Sequence, residues 1–268
     1  MNTANLFVNA PELADGAEMR VVSFNVLFNN TLKEPTPAER SVALKELLAH
    51  FSPDVIGLQE MNEPWHEIFA TFKGDYEIFD PTNGEGRTNN SCIAYNTKKA
   101  KLLDHGVKIY SKGDRPHLRL ANWGYFEHIA TGKKFIVINT HWDIVKEYIM
   151  IQAEEMGYLA NELAAKFNCP IISTGDYNRL ESTDEYKRYV EIANLHNSRY
   201  TAREKGRVHY TCHGFSPLGK MPNTERIETI DHVLASSDVE FIYYTVIADQ
   251  IVLDNSDHCP VYADMILK

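Results

Sequence analysis

Short apolar runs alternate along this chain with longer stretches in which apolar residues return every three or four positions. The first such run, "MRVVSFNVLF" (residues 19–28), is rich in β-branched and aromatic residues, follows a polar leader, and predicts a strand ending near Asn25. "TPAERSVALKELLAHF" then predicts a helix, with Thr36 as N-cap, Pro37 at the first helical position and Glu39 completing a capping box. "PDVIGLQE" reads as a short buried strand finishing at Gln59-Glu60, and "NEPWHEIFATF" as a helix starting at Asn62. Two strands surround the Gly- and Asn-rich loop "PTNGEGRTNN", and "SCIAYN" is the one after it. "NWGYFEHIATGKKFIVINTHWD" predicts a hairpin turned at Thr131-Gly132, with its second strand ending at residues 140–143. A long amphipathic helix over about 147–167 leads to "PIISTGDYN", after which Ser182 and Glu185 suggest a second capping box for a helix to about 192. "ETIDHVLAS", "EFIYYTVIAD" and "PVYADMIL" predict three more strands.

Early strand-helix alternation followed by hairpin-like strands implies mixed sheets covered by helices, and two packed sheets suit the strand count. With 268 residues, 44% hydrophobic and 24% charged, and no repeat or composition shift that would mark a linker, a single domain over 1–268 is expected, its core about 19–267. No apolar run approaches the roughly 20 residues of a membrane helix, and the N-terminal stretch lacks signal-peptide character, so a cytoplasmic protein is expected. Cys92, Cys169, Cys212 and Cys259 show no C-x-x-C spacing and sit near apolar residues, which predicts buried, reduced thiols. A net charge of -10 disfavours nucleic acid as a partner, because sequence-independent binding needs clustered cations. A phosphate-bearing substrate would need local help from a metal ion.

The predicted strand ends share a chemistry: Asn25, Glu60, Thr140-His141-Trp142-Asp143, Asp176 with Asn178, Ile230-Asp231-His232, and Ser256-Asp257-His258. Singly, each has a plain structural explanation as turn former, surface carboxylate or core histidine. Together, acids, amides and imidazoles dominate where independent turn formers would bring Ser, Gly, Lys and Pro. Asp176 and Asn178, two apart on an extended segment, project the same way. Oxygen donors such as Glu60 and Asp257 suit Mg²⁺ or Mn²⁺ better than zinc. A carboxylate near bound water can serve as general base, and a histidine paired with a carboxylate can stabilise a phosphoryl oxygen.

"SFNV", "IGLQE", "NTHWD", "TGDYN", "TIDHVL" and "SDHCPV", in that order, resemble the endonuclease/exonuclease/phosphatase superfamily of DNase I-like, metal-dependent phosphoesterases, and the resemblance covers nearly the whole chain. It implies a four-layer α/β sandwich, two packed mixed sheets flanked by helices. It also implies that Glu60 is the principal ligand of Mg²⁺ or Mn²⁺, with Asn25 and Asp257 completing or orienting the metal site. Asp176 would position or deprotonate the attacking water, Asn178 and His141 would bind phosphoryl oxygens, and His258, hydrogen-bonded to Asp231, would stabilise charge developing on phosphorus. "RLANW" and "TCHGF" look like segments of bacterial members, which makes Arg119 a candidate phosphate contact and His213 a substrate-side residue.

Two positions depart from that pattern: Asn89-Asn90 stands where relatives have a Glu, leaving Asn90 as the substrate-side candidate, and Ile149-Met150-Ile151 stands where they have an Arg before the helical Gln. The resulting expectation is a phosphoesterase acting on a monoester or diester, with a small molecule, lipid head group or nucleotide as substrate. A nuclease is the first alternative, and a binding module that has lost catalysis the second, although the catalytic set is complete.

Overall fold

The computed structural model describes residues 6–28, 35–79, 91–113, 119–214 and 229–268. The first half of the chain runs β1 (Met19–Asn25), α1 (Pro37–Phe51), β2 (Val55–Gln59), α2 (Glu63–Phe72), β3 (Tyr76–Phe79), β4 (Cys92–Asn96), β5 (Ala100–Ile109), β6 (Leu120–His128) and β7 (Lys134–His141). It continues with α3 (Lys146–Phe167), β8 (Ile171–Asp176), α4 (Asp184–Ala193), β9 (Leu195–Asn197), α5 (Ser198–Thr201), β10 (Glu204–Lys205), β11 (Asp231–Ser236), β12 (Val239–Val246), α6 (Gln250–Leu253) and β13 (Val261–Leu267). The strands form a seven-stranded sheet, β10-β12-β13-β1-β2-β4-β3, and a six-stranded one, β5-β6-β7-β8-β11-β9.

Strand periodicity explains why the sheets stack between helices. Met19 and Val21 of β1 point into a core between the sheets, whereas Val22 and Phe24 point the other way, into a second core with Leu44 and Leu47 of α1 and Trp65 of α2. In β7, Phe135 and Val137 face the first core, and Ile136 and Ile138 pack with Ile149 and Met156 of α3 in a third. Two sheets, each covered on its outer face by helices, make the expected α/β sandwich.

The inter-sheet seam changes character along its length. Val21, Val55, Val137, Ile172 and Val233 fill it with hydrocarbon. Two residues further toward the carboxyl ends of β1, β2, β7 and β8, the same inward phase carries Ser23, Gly57, Asn139 and Thr174. Here the Asn139 side chain accepts from Gln59 Nε2 (2.7 Å) and Thr174 Oγ1 (3.0 Å) and donates to the carbonyls of Leu58 (2.9 Å) and Cys92 (2.8 Å), tying the sheets together by polar contacts. Gly57 is required by this contact: a Cβ there would lie 2.1 Å from Thr174 Oγ1 and 2.5 Å from Asn139 Oδ1.

Several expectations need correction. The cap of α4 is Thr183, whose hydroxyl accepts from Tyr186 N, and not Ser182; Glu185 is buried and faces Arg179 at 3.8 Å. Strands β5, β9 and β10 have no counterpart among the elements expected from the sequence. All four cysteines are free as expected, but Cys169 and Cys212 are only half-buried. Burial pushes the Cys169 thiol up to about 11 and the Cys259 thiol up to about 12. Among the described residues no helix is long and apolar enough to cross a membrane.

Candidate active site

At the end of the seam the inward phase reaches Asn25 on β1, His141 on β7, Asp176 on β8 and, on the antiparallel β11, Asp231. Register sets the second-sheet row directly: His141 pairs with Asp176 across parallel β7 and β8, and Asp176 with Asp231 across antiparallel β8 and β11. Asn25 brings in the other sheet. Its Nδ2 donates to Asp176 Oδ2 (3.1 Å) and to Glu60 Oε1 (3.0 Å), so one carboxamide connects two acids from different sheets.

Glu60, just beyond β2, has a left-handed backbone, φ 64°, a conformation that costs a residue bearing a Cβ about 1–2 kcal/mol. That turn aims its carboxylate at the backbone N–H of Phe28, 2.7 Å from Oε2. The β1–α1 loop carrying Phe28 is held by buried Arg40, which donates to the carbonyls of Val26 (2.8 Å), Leu27 (2.7 Å) and Phe28 (3.0 Å). Arg40 was missed in the sequence because a cation inside an amphipathic helix looks like a solvated one. Asn178 is also left-handed, φ 50°, which asparagine tolerates better than most residues. Its N–H donates to Asp176 Oδ1 (2.9 Å), and its Nδ2 donates to Trp142 O (2.9 Å), with no acceptor for the second amide hydrogen among the described residues.

His258 lies on the loop before β13, with Nδ1 2.9 Å from Asp231 Oδ2 and Nε2 3.8 Å from Asp176 Oδ2. Burial alone would discharge this ring, but Asp231 and Asp176 outweigh it and hold its pKa well above the ordinary value. Burial, then repulsion from Asp231, pushes the Asp176 carboxyl up to about 7, against His258, Asn178 N–H and Asn25. His141 goes the other way. Burial, followed by the charges of Arg119 and His258, lowers it well below its ordinary value, so a neutral ring sits with Nε2 3.4 Å from Asp176 Oδ2 and Nδ1 4.0 Å from Glu60 Oε1.

Asp257 is half-buried beside this group, and its carbonyl accepts from the N–H of His213 at 2.8 Å. His213 is itself buried at the same rim. Arg119 is mostly buried with Nε 3.8 Å from Asp143 Oδ2, close enough to His141 to influence its proton. Asp143 is anchored by Gln152, whose Oε1 accepts from its N–H at 2.9 Å. Ile149, from the segment that departs from the resembled pattern, faces the apolar core under α3 and not this site. Asn89 and Asn90 lie outside the described residues.

The donors suit a hard divalent cation. The Glu60 and Asp176 carboxylates meet at the Asn25 carboxamide, Asp231 pairs in register with Asp176, and buried Asp231 Oδ1 finds no donor among the described residues. Asp176, Asp231 and His258 also bring ligand atoms within 4.8 Å of one another. Glu60 and Asp257 are not part of that cluster.

The profile of the endonuclease/exonuclease/phosphatase family matches residues 22–258, spanning every one of these residues. The chain belongs to that family. Members of the endonuclease/exonuclease/phosphatase family are phosphoric ester hydrolases, and the fold agrees: a family protein from Bacteroides vulgatus superposes with TM-score 0.80 at 23% identity, covering 93% of this chain and 99% of that one. A mannosyl-6-phosphatase of Bacteroides thetaiotaomicron gives TM-score 0.79 at 22% identity, covering 93% and 100%. In sequence the chain is 24% identical over 237 residues to the CCR4-Not complex 3'-5'-exoribonuclease subunit Ccr4 of Debaryomyces hansenii, a match over 72% of this chain but only 27% of that protein's length.

Proposed function

We propose that this chain is a single-domain phosphoesterase that hydrolyses a small phosphate ester with the aid of Mg²⁺ or Mn²⁺. The reading rests on one observation: the Asp176 carboxylate lies 3.1 Å from Asn25, 3.4 Å from His141 and 3.8 Å from His258, at the meeting point of both sheets. Glu60, with Asn25 and Asp257, would hold the cation, which when bound neutralises phosphoryl charge and acidifies water.

Asp176 takes a proton from water as the water oxygen bonds to phosphorus, and its pKa near 7 suits a base working at neutral pH. The bond from phosphorus to the ester oxygen breaks, the leaving alkoxide takes a proton from solvent water to become the alcohol, and Asp176 returns the proton it took to solvent. Asn178, through its second amide hydrogen, and neutral His141 donate to phosphoryl oxygens. His258, held charged by Asp231, stabilises the negative charge that builds up. Arg119 and His213 contact substrate at the rim.

A nuclease is the second reading, supported by the exoribonuclease relative. The charge of -10 weighs against it, because phosphate tracking needs clustered cations. The test is a screen of monoesters, diesters, nucleotides and oligonucleotides with Mg²⁺ or Mn²⁺. Chelator-sensitive turnover of small esters is expected; turnover of oligonucleotides alone would replace this reading with the second.

A further inference from the structure

Beside Asn178 opens a cavity of about 630 Å³, far larger than a phosphate group needs and within the size range of small-molecule sites. It lies between the start of α3, the β8–α4 loop with the first turn of α4, and Tyr210. Its charged residues cancel. Arg179 and Glu185 face each other at 3.8 Å, and Arg179 Nη1 also donates to Asn178 O at 2.7 Å. Lys146 and Asp184 remain, both exposed and of opposite sign. Exposed Ser182 adds a hydroxyl, Tyr210 a flat ring, and Leu180 with Ile230 two apolar patches.

We infer that this cavity receives the polyhydroxylated alcohol of a sugar phosphate whose phosphate is held at Asn178 and His141. The inference rests on the hydrolase reading above and names its substrate class. Sugar hydroxyls donate and accept at once, so a wall offering a carboxylate, an ammonium and a hydroxyl can satisfy several of them. The C–H face of a sugar ring fits against the Tyr210 ring and its apolar neighbours.

Other occupants fit less well. A second phosphate would meet Asp184 and Glu185 as closely as Lys146 and Arg179 and gain no net attraction. A polynucleotide needs a run of cations, and this wall carries two, Lys146 and Arg179, the second of them facing Glu185. An acyl chain would strand the charged groups without water.

The experiment is calorimetric titration of the full chain carrying Asp176→Asn, with Mg²⁺ present, using glucose 6-phosphate, mannose 6-phosphate, inorganic phosphate and a thymidine dinucleotide. At least one hexose phosphate should bind about 10-fold or more tightly than inorganic phosphate, the size of one charge-assisted hydrogen bond. Adding Asp184→Ala should erase that advantage while leaving inorganic phosphate unchanged; Ser182→Ala should reduce it. Both residues are exposed, so the variants keep the fold. Equal affinity for hexose phosphates and phosphate, tighter binding of the dinucleotide, or no effect of either substitution would overturn the inference. Failure of the two readings differs. Hexose-phosphate binding with this pattern but no ester turnover by the unaltered chain leaves the cavity standing and removes the hydrolase; turnover without the binding preference does the reverse.

Discussion

Among single residues Asp176 is where the contacts meet: its Oδ2 accepts from Asn25 Nδ2 at 3.1 Å and lies 3.4 Å from His141 Nε2. Asn25, His141, Asp176 and Asp231 end apolar runs in acids, amides or imidazoles, and the structure brings them together with Glu60 and His258. Arg40, Gln59 and Asn139 were not legible, because their roles come from partners distant in the chain: Asn139 meets Leu58 and Cys92 across the seam. Backbone strain was equally hidden. No local signal marks Glu60 as left-handed, yet its φ of 64° is what turns the carboxylate inward. Two truncations isolate that strain. Glu60→Gly and Glu60→Ala both lose the carboxylate, but only glycine adopts the left-handed region without cost, so the Gly variant should be more stable by about 1 kcal/mol. Denaturant unfolding of the pair measures this, and an Ala variant as stable as the Gly variant would remove the strain from the account.

The elements show how cap chemistry and burial decide what a sequence reveals. Helix α1 begins as read, with Thr36 accepting from Glu39 N and the Glu39 carboxylate returning to Thr36 N at 2.7 Å. At α4 two hydroxyls stand side by side, and Ser182 with Glu185 satisfies the capping-box spacing. Glu185 is drawn instead into the interior beside Arg179, and the chain enters the helix one residue later at Thr183. Thr183→Ala should therefore cost about 1 kcal/mol of stability and Ser182→Ala close to nothing. The reverse order in thermal unfolding would restore the Ser182 cap. Strand β5 escaped notice for a different reason: it is an edge strand, and six of its ten residues (Lys101, Leu103, Asp104, His105, Val107, Ile109) are exposed, so no core face imposes a clear alternation.

Across the whole molecule, the seam between the sheets explains why the proposed catalytic groups lie at one end. Hydrocarbon fills its length, the Asn139-Gln59-Thr174 contact closes it, and the acids and histidines begin one step beyond. The layered class was readable from strand and helix alternation, whereas the pairing of β1 with β2 and β13, and of β8 with β7 and β11, came only from the structure. Gly57 is where this architecture is most exposed to a single methyl group. Gly57→Ala should cost roughly 1–3 kcal/mol by forcing Thr174 and Asn139 apart, and should lower turnover because both strands carry site residues. Unchanged stability and turnover would mean that the seam accommodates the methyl and does not position the site.

The central claim, a cation-assisted water attack with Asp176 as base and Glu60 as principal metal ligand, is tested most directly by one experiment. Turnover of the best ester found is titrated with Mg²⁺, after exhaustive chelation, for the unaltered chain, Glu60→Gln and Asp176→Asn. Chelation should abolish activity and Mg²⁺ restore it. Glu60→Gln should move the titration to higher Mg²⁺, whereas Asp176→Asn should leave its midpoint nearly in place and lower kcat by on the order of 10²-fold to 10⁴-fold. Full turnover after chelation, or Asp176→Asn turning over at the unaltered rate, would contradict the mechanism.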